Sequence, residues 1–237
     1  DEGRLLKNIM KCVKKVIKKV PLVVAKYQVG LNEAVKDFEM FTAKSSQSHH
    51  NVQIVGIWGM GGFGKTTLAK ELYNEKCSPL ERCIFLSDVR DATSNNLLHS
   101  KQIKLPEDLG VKGISFDNVE EGKGVLESRL RSIRLILVLD NVDHVDQLDT
   151  LLPPMDSLGS GSWIIVTTRE SEVLTCWGIS CIYKMKSIDP FHAHQLFCWH
   201  AFLQPSPPEG FEELVKNILD ACNGLPVFEE ENTLAIE

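Results

Sequence analysis

Gly59-Met60-Gly61-Gly62-Phe63-Gly64-Lys65-Thr66-Thr67 gathers four glycines, an ammonium and two hydroxyls into nine residues. The order fits G-x-x-x-x-G-K-S/T with no mismatch. Glycines at this spacing permit positive φ and close backbone approach, so successive N–H groups can form a nest around an anion. Lys65 can reach the β and γ phosphates of a nucleotide, and the Thr66 hydroxyl can ligate Mg²⁺. A glycine-rich turn can also arise by chance, so the flanks decide the matter. Val52-Gln53-Ile54-Val55-Gly56-Ile57-Trp58 reads as a buried strand and Leu68-Ala69-Lys70-Glu71-Leu72-Tyr73 as a helix. The loop therefore stands at a helix N-terminus, where a polyphosphate gains charge-assisted hydrogen bonds. The chemistry implied is capture of a nucleoside diphosphate or triphosphate.

Three further residues fit the same chemistry. Asp140 directly follows the apolar run Leu135-Ile136-Leu137-Val138-Leu139. A carboxylate at the carboxyl end of a buried parallel strand faces the ligand crevice, and beside a phosphate loop it can hold Mg²⁺ directly or through water. The competing reading is an aspartate that only opens a turn. Asn141 comes next; an amide can orient water but cannot take its proton at neutral pH, so hydrolysis is expected to be slow or absent. Thr167-Thr168-Arg169 ends another apolar strand. Arg169 there either senses a γ-phosphate or pairs with Glu170 or Glu172. No N-K-x-D element follows the fourth strand and no D-x-x-G follows the third, which favours adenine over guanine. His192, His194, Cys198 and His200 share one helix, but only His194 and Cys198 have i, i+4 spacing, so packed and solvated positions are the expectation rather than a metal site. His49 and His50 are read as solvated loop residues.

The elements that must position these groups alternate. Strands are expected at residues 52–58, 83–86, 135–139, 163–166 and 182–185. Helices are expected at 31–41, from about 118 through Leu130, at 146–152, from Asp189-Pro190 through Phe202, and from Phe211 to Cys222 before Asn223-Gly224. Residues 94–112 are weakly patterned, and 42–51 read as an exposed polar loop. Strands apolar nearly throughout indicate a parallel sheet covered on both faces. The fold class is α/β, a three-layer P-loop NTPase with a central five-stranded parallel sheet and a partial helical subdomain at the C-terminus. Gln204–Pro208 is a proline-rich break, so the division is 1–20, a basic linker helix; 21–203, the nucleotide-binding domain; and 204–237, the start of a truncated helical subdomain.

Composition sets outer bounds. The 237 residues are 43% hydrophobic and 24% charged, ordinary globular material. No apolar run reaches the roughly 18–20 residues of a membrane span, and no signal-peptide core is visible. Seven scattered cysteines without a C-x-x-C pair argue for reduced thiols in a cytosolic or nuclear setting. The net charge of −6 is uneven: seven basic residues between Arg4 and Lys19 against Asp1 and Glu2 make that segment +5, leaving −11 for the remainder. Leu5, Leu6, Ile9, Met10, Val13, Val16, Ile17 and Val20 recur at helical spacing. This basic amphipathic helix could meet a membrane surface or nucleic acid, but it lacks aromatic anchors and reads better as a linker packed on a neighbouring domain.

These blocks, in order, resemble the nucleotide-binding part of plant NB-ARC disease-resistance proteins. The resemblance runs from about Val20 to Pro226 and rests on GMGGFGKTTLA, FLSDVRD, LILVLDNVDHVDQL, GSGSWIIVTTRESEV, YKMKSIDPFHAHQLFCWHAF and CNGLP. Asp143 at the close of the third block is similar to the TIR-containing branch. The resemblance implies that Val29 and Gly30 cup the adenine. It further implies that Gly59, Gly61, Gly62, Phe63, Gly64, Lys65, Thr66 and Thr67 hold the phosphates, with Thr66 and Asp140 at Mg²⁺. Arg169 would be the sensor arginine, and Pro226 would pack near the base. It implies ADP or ATP with Mg²⁺ as ligands, at most a slow ATPase activity, and a switch in an intracellular immune receptor of cytoplasmic, or also nuclear, location. Partners would be the TIR domain, the rest of the ARC region and the leucine-rich repeats of a full-length protein, with a homo-oligomer in the active state; neither nucleic acid nor a membrane span is expected. The chain departs from the family at Asn141, where an acid is usual, and in the acidic run after Pro226. A small-molecule phosphotransferase would need an arginine-rich lid, yet residues 156–186 offer Arg169 alone. A nucleotide-locked structural module that never cycles is the third reading.

Overall fold

In a computed structural model the described residues are 21–45, 52–78, 80, 82–91, 119–130, 133–152 and 158–222. The expected basic helix, Pro226 and residues 94–112 lie outside them. Among the described residues no helix is long and apolar enough to cross a membrane.

The strands are β1 (Gln53–Trp58), β2 (Arg82–Leu86), β3 (Leu135–Val142), β4 (Trp163–Thr168) and β5 (Ile182–Lys184). They form one sheet in the order β2-β3-β4-β1-β5, every pair parallel. The helices are α1 (Leu31–Lys44), α2 (Lys65–Cys77), α3 (Val119–Leu130), α4 (Val145–Leu151), α5 (Ser171–Cys176), α6 (Pro190–Phe202) and α7 (Glu212–Cys222). This is the three-layer α/β architecture that the alternating pattern predicts.

The unbroken apolar run of β3 follows from burial on both faces. Leu135, Leu137 and Leu139 point to one side with Ile164, Val166, Leu148, Leu151 and Leu174. Ile136 and Val138 point to the other with Ile165, Leu68, Leu72, Val35 and Phe38. One layer is thus built on α4 and α5, the opposite one on α1 and α2. A smaller cluster of Phe197, Cys198 and Val215 joins α6 to α7.

Several boundaries differ from the sequence reading. The phosphate-loop helix starts at Lys65 itself and runs to Cys77. The short helix α5 was not expected; it drives Leu174 against the β1 backbone, where a Cβ on Gly56 would lie 2.4 Å from Leu174 Cδ1. The thiols are not all reduced: Cys77 and Cys83 are joined in a disulfide. The short connection between the end of α2 and β2 brings their Cα atoms to 5.6 Å, inside the range such a bond spans.

Candidate functional site

The loop between β1 and α2 lies at the carboxyl edge of the sheet. Gly62 and Gly64 take φ of 79° and 83°, conformations that cost an L side chain but not glycine. Gly64 is the N-cap of α2, so the first free N–H groups of a thirteen-residue helix open toward the loop. The Lys65 ammonium folds back over this turn and donates to the carbonyls of Gly59 (2.8 Å) and Met60 (2.7 Å). Lys65 is only 8% exposed. Burial pushes its pKa down to about 8; the nearby Arg169 guanidinium adds to that shift and Asp140 opposes it.

Asp140 is buried near the end of β3. Its Oδ1 accepts from Thr66 Oγ1 (2.9 Å) and Thr167 Oγ1 (2.6 Å), and Oδ2 lies 3.1 Å from Thr66 Oγ1. Burial raises its pKa, the two threonine hydroxyls oppose that, and the charge of Asp88 raises it further. A carboxylate and a hydroxyl in contact on the wall of a cleft are the hard oxygen donors Mg²⁺ takes, usually with substrate phosphates and water completing its shell. Thr66 and Asp140 fit that cation. The alternative, a turn aspartate, does not hold, because β3 continues through Val142.

It continues by means of a bulge. Asn141 adopts φ 61° and donates its N–H to Thr167 Oγ1 (2.8 Å), after which Val142 pairs with Thr168. Thr167 therefore bridges β4 to both Asp140 and Asn141, a role the sequence signals only as one letter in T-T-R.

Arg169 leaves β4 beside the phosphate loop because β1 and β4 are neighbours, Trp58 opposite Thr168. Trp58 Nε1 donates to the Arg169 carbonyl (3.1 Å). The guanidinium lies over Gly61, so close that a Cβ there would sit 3.1 Å from Arg169 Cζ.

The cleft has a volume of roughly 1070 Å³ and extends from Asp88 and Asp140 past the loop to Val29, Gly30 and Tyr27. Gly61, Gly62, Phe63, Gly64, Lys65, Thr66, Thr67 and Arg169 all line it; Gly59 sits just behind, against Met185. The segment before α1 is fastened over α2 by Asn74, whose side chain accepts from Leu22 N–H (2.8 Å) and donates to Leu22 O (3.0 Å). Gly30, φ 72°, starts α1 and packs on His192, whose ring pairs with Asp189. Asp189 caps α6 by accepting from the N–H groups of Phe191 and His192. Tyr27 stacks on Trp199 with centroids 5.3 Å apart and meets His200 edge-on. Tyr27, Leu196 and His200 line this far end of the cleft; the sequence reading gave none of them a part in the nucleotide site. His194 and Cys198 meet at 3.9 Å on α6, outside the cleft lining.

Comparison with known proteins places these features in context. The NB-ARC domain model matches residues 38–206. The disease resistance protein RPV1 of Vitis rotundifolia is 32% identical over 228 residues, 95% of this chain and 16% of that protein. The TMV resistance protein N of Nicotiana glutinosa is 35% identical over 185 residues, 75% of this chain and 16% of that protein. The chain thus spans about 16% of the length of these curated relatives. Among solved structures, Cdc6p from Pyrobaculum aerophilum superposes with a TM-score of 0.61 at 15% identity, covering 86% of this chain and 57% of that one; the likeness is one of fold.

Proposed function

The chain belongs to the NB-ARC family, and from that premise we propose that it is the adenine-nucleotide switch module of an intracellular plant immune receptor of the TIR-containing type. ADP holds the resting state and exchange for ATP releases it, with hydrolysis slow or absent. The observation that carries this reading is convergence. The Lys65 ammonium, the Thr66–Asp140 oxygens and the Arg169 guanidinium, from three separate strand ends, line one cleft whose other end reaches Val29 and Gly30. The phosphates would lie in the loop with Mg²⁺ between Thr66 and Asp140, and the adenine toward Val29 and Gly30, with Pro226 beside it. Arg169, over the loop, stands where a third phosphate would add a contact that ADP lacks. The TIR domain, the remaining ARC region, the leucine-rich repeats and further copies of the receptor are the proposed partners, in the cytoplasm and nucleus. Arg169 is the one arginine among the described residues lining the cleft, which speaks against the lid of a small-molecule phosphotransferase.

The test is nucleotide content followed by titration. Purified protein is expected to carry ADP, to exchange it for ATP in the presence of Mg²⁺, and to lose both on Lys65→Ala. That variant should stay folded but melt below the ADP-loaded protein, because the stabilisation supplied by the bound nucleotide is gone. Folded protein that gives no calorimetric signal with either nucleotide plus Mg²⁺ refutes the reading.

A further inference from the structure

We propose that Asp88 supplies a second carboxylate to the Mg²⁺–nucleotide site, beside Asp140. The inference rests on the nucleotide-binding reading above and concerns how that site is completed. β2 and β3 run side by side in parallel, with Leu86 opposite Leu139. Two residues further on, Asp88 just past β2 and Asn141 in the bulge of β3 stand at the same level near the carboxyl edge. Both adopt left-handed backbone, φ 52° and φ 61°. Asp88 lines the same cleft as Thr66, Lys70 and Asp140, and its charge is felt at Asp140.

The carboxylate does not hang on a loose loop. The turn that follows it, Val89–Asp91, is pinned to the start of α4: Arg90 pairs with Asp143 at 3.2 Å, and Gln147 Nε2 donates to Asp143 Oδ1 (2.8 Å) and toward the Val89 carbonyl (3.5 Å). Val89 is fully buried, and Asp91 N–H donates to Asp88 O (3.3 Å). Asp88 is thereby held at the cleft rim on a rigid base. Two carboxylates beside a hydroxyl suit a hard divalent cation, and without the cation they repel the phosphates of the nucleotide. Asp88 therefore makes nucleotide affinity depend more steeply on Mg²⁺ than Asp140 alone would.

The experiment compares ATP binding by calorimetry in Mg²⁺ and in EDTA, for the wild-type protein and Asp88→Asn. Asparagine tolerates the left-handed backbone, and Asp88→Gly, which tolerates it fully, serves as a second variant. The Mg²⁺ enhancement of affinity is expected to fall on the order of tenfold in both variants, the scale seen when groups supporting a metal site are removed. Affinity in EDTA should hold or improve in both variants. An unchanged enhancement in the two single variants overturns the proposal. Wild-type protein that binds no ATP under either condition overturns the nucleotide reading instead.

Discussion

Lys65 is the residue through which pH should control ligand binding. Burial and the Arg169 guanidinium hold its pKa at about 8 instead of the ordinary 10.5. Only the ammonium form both attracts a phosphate and donates three hydrogen bonds to its surroundings. If the neutral amine contributes nothing, the apparent Kd is multiplied by 1 + 10^(pH − 8). That factor is about 1.1 at pH 7 and about 11 at pH 9, so affinity falls about tenfold, or about 1.4 kcal/mol. The terminal phosphate cannot offset this loss, since its second proton leaves near pH 6. The free protein should respond in the opposite sense. A lysine with a lowered native pKa makes the unfolded state bind more protons between about pH 8 and about pH 10.5, so Lys65's contribution to stability improves over that range. Weaker binding at pH 9 would therefore not be unfolding at this group. Calorimetric titration of ADP with Mg²⁺ across this pH range, in two buffers of different ionisation enthalpy, reads both the Kd and the protons taken up on binding. A Kd constant within about twofold from pH 7 to 9, with no proton uptake and the protein still folded, would show that the ammonium is not perturbed as argued.

Two other perturbations test the geometry around this group. Arg169→Ala removes a repulsive neighbour, so the pH midpoint of binding should move upward toward that of an ordinary lysine while the preference for ATP over ADP shrinks several-fold; parallel titrations of both nucleotides check it, and an unmoved midpoint counts against the coupling. Gly56→Ala places a methyl 2.4 Å from Leu174 Cδ1 in a wall with no exposed surface, so it should cost about 1–3 kcal/mol of stability. A thermal melt several degrees lower with ADP affinity nearly unchanged is the expected result, and an unaltered melt would mean that Leu174 has room to turn.

What could be read from the sequence was whatever local chemistry dictates. The strand–loop–helix order around the phosphate loop, the doubly buried β3 and β4, and the Asp189-Pro190 cap of α6 each follow from residue types at fixed spacing, and each stands where expected. What could not be read depends on pieces far apart in the chain. Helix α5 has only six residues, too few to show a periodicity, and is fixed by Leu174 finding the bare backbone of Gly56. Asn141 looked like the residue after a strand; it is a bulge inside one, because Thr167 on the adjoining strand takes its N–H. The Cys77–Cys83 pair carries no diagnostic spacing and depends on how tightly α2 turns into β2.

Strand order is the common cause, and it also explains the electrostatics. Because β1 lies between β4 and β5, the phosphate loop has the end of β4 as its direct neighbour, and Gly59 N–H even reaches the Thr168 carbonyl at 3.3 Å. Arg169 therefore stands against the loop, and its charge acts on Lys65. Asp140, one strand further away on β3, accepts from Thr66 at the start of α2 and from Thr167 on β4, and raises the Lys65 pKa less than burial and Arg169 lower it. The cleft thus brings two cations close together and a carboxylate that only partly compensates them. A polyanion entering it relieves the repulsion between Lys65 and Arg169, which favours a ligand with several phosphates over one with a single charge.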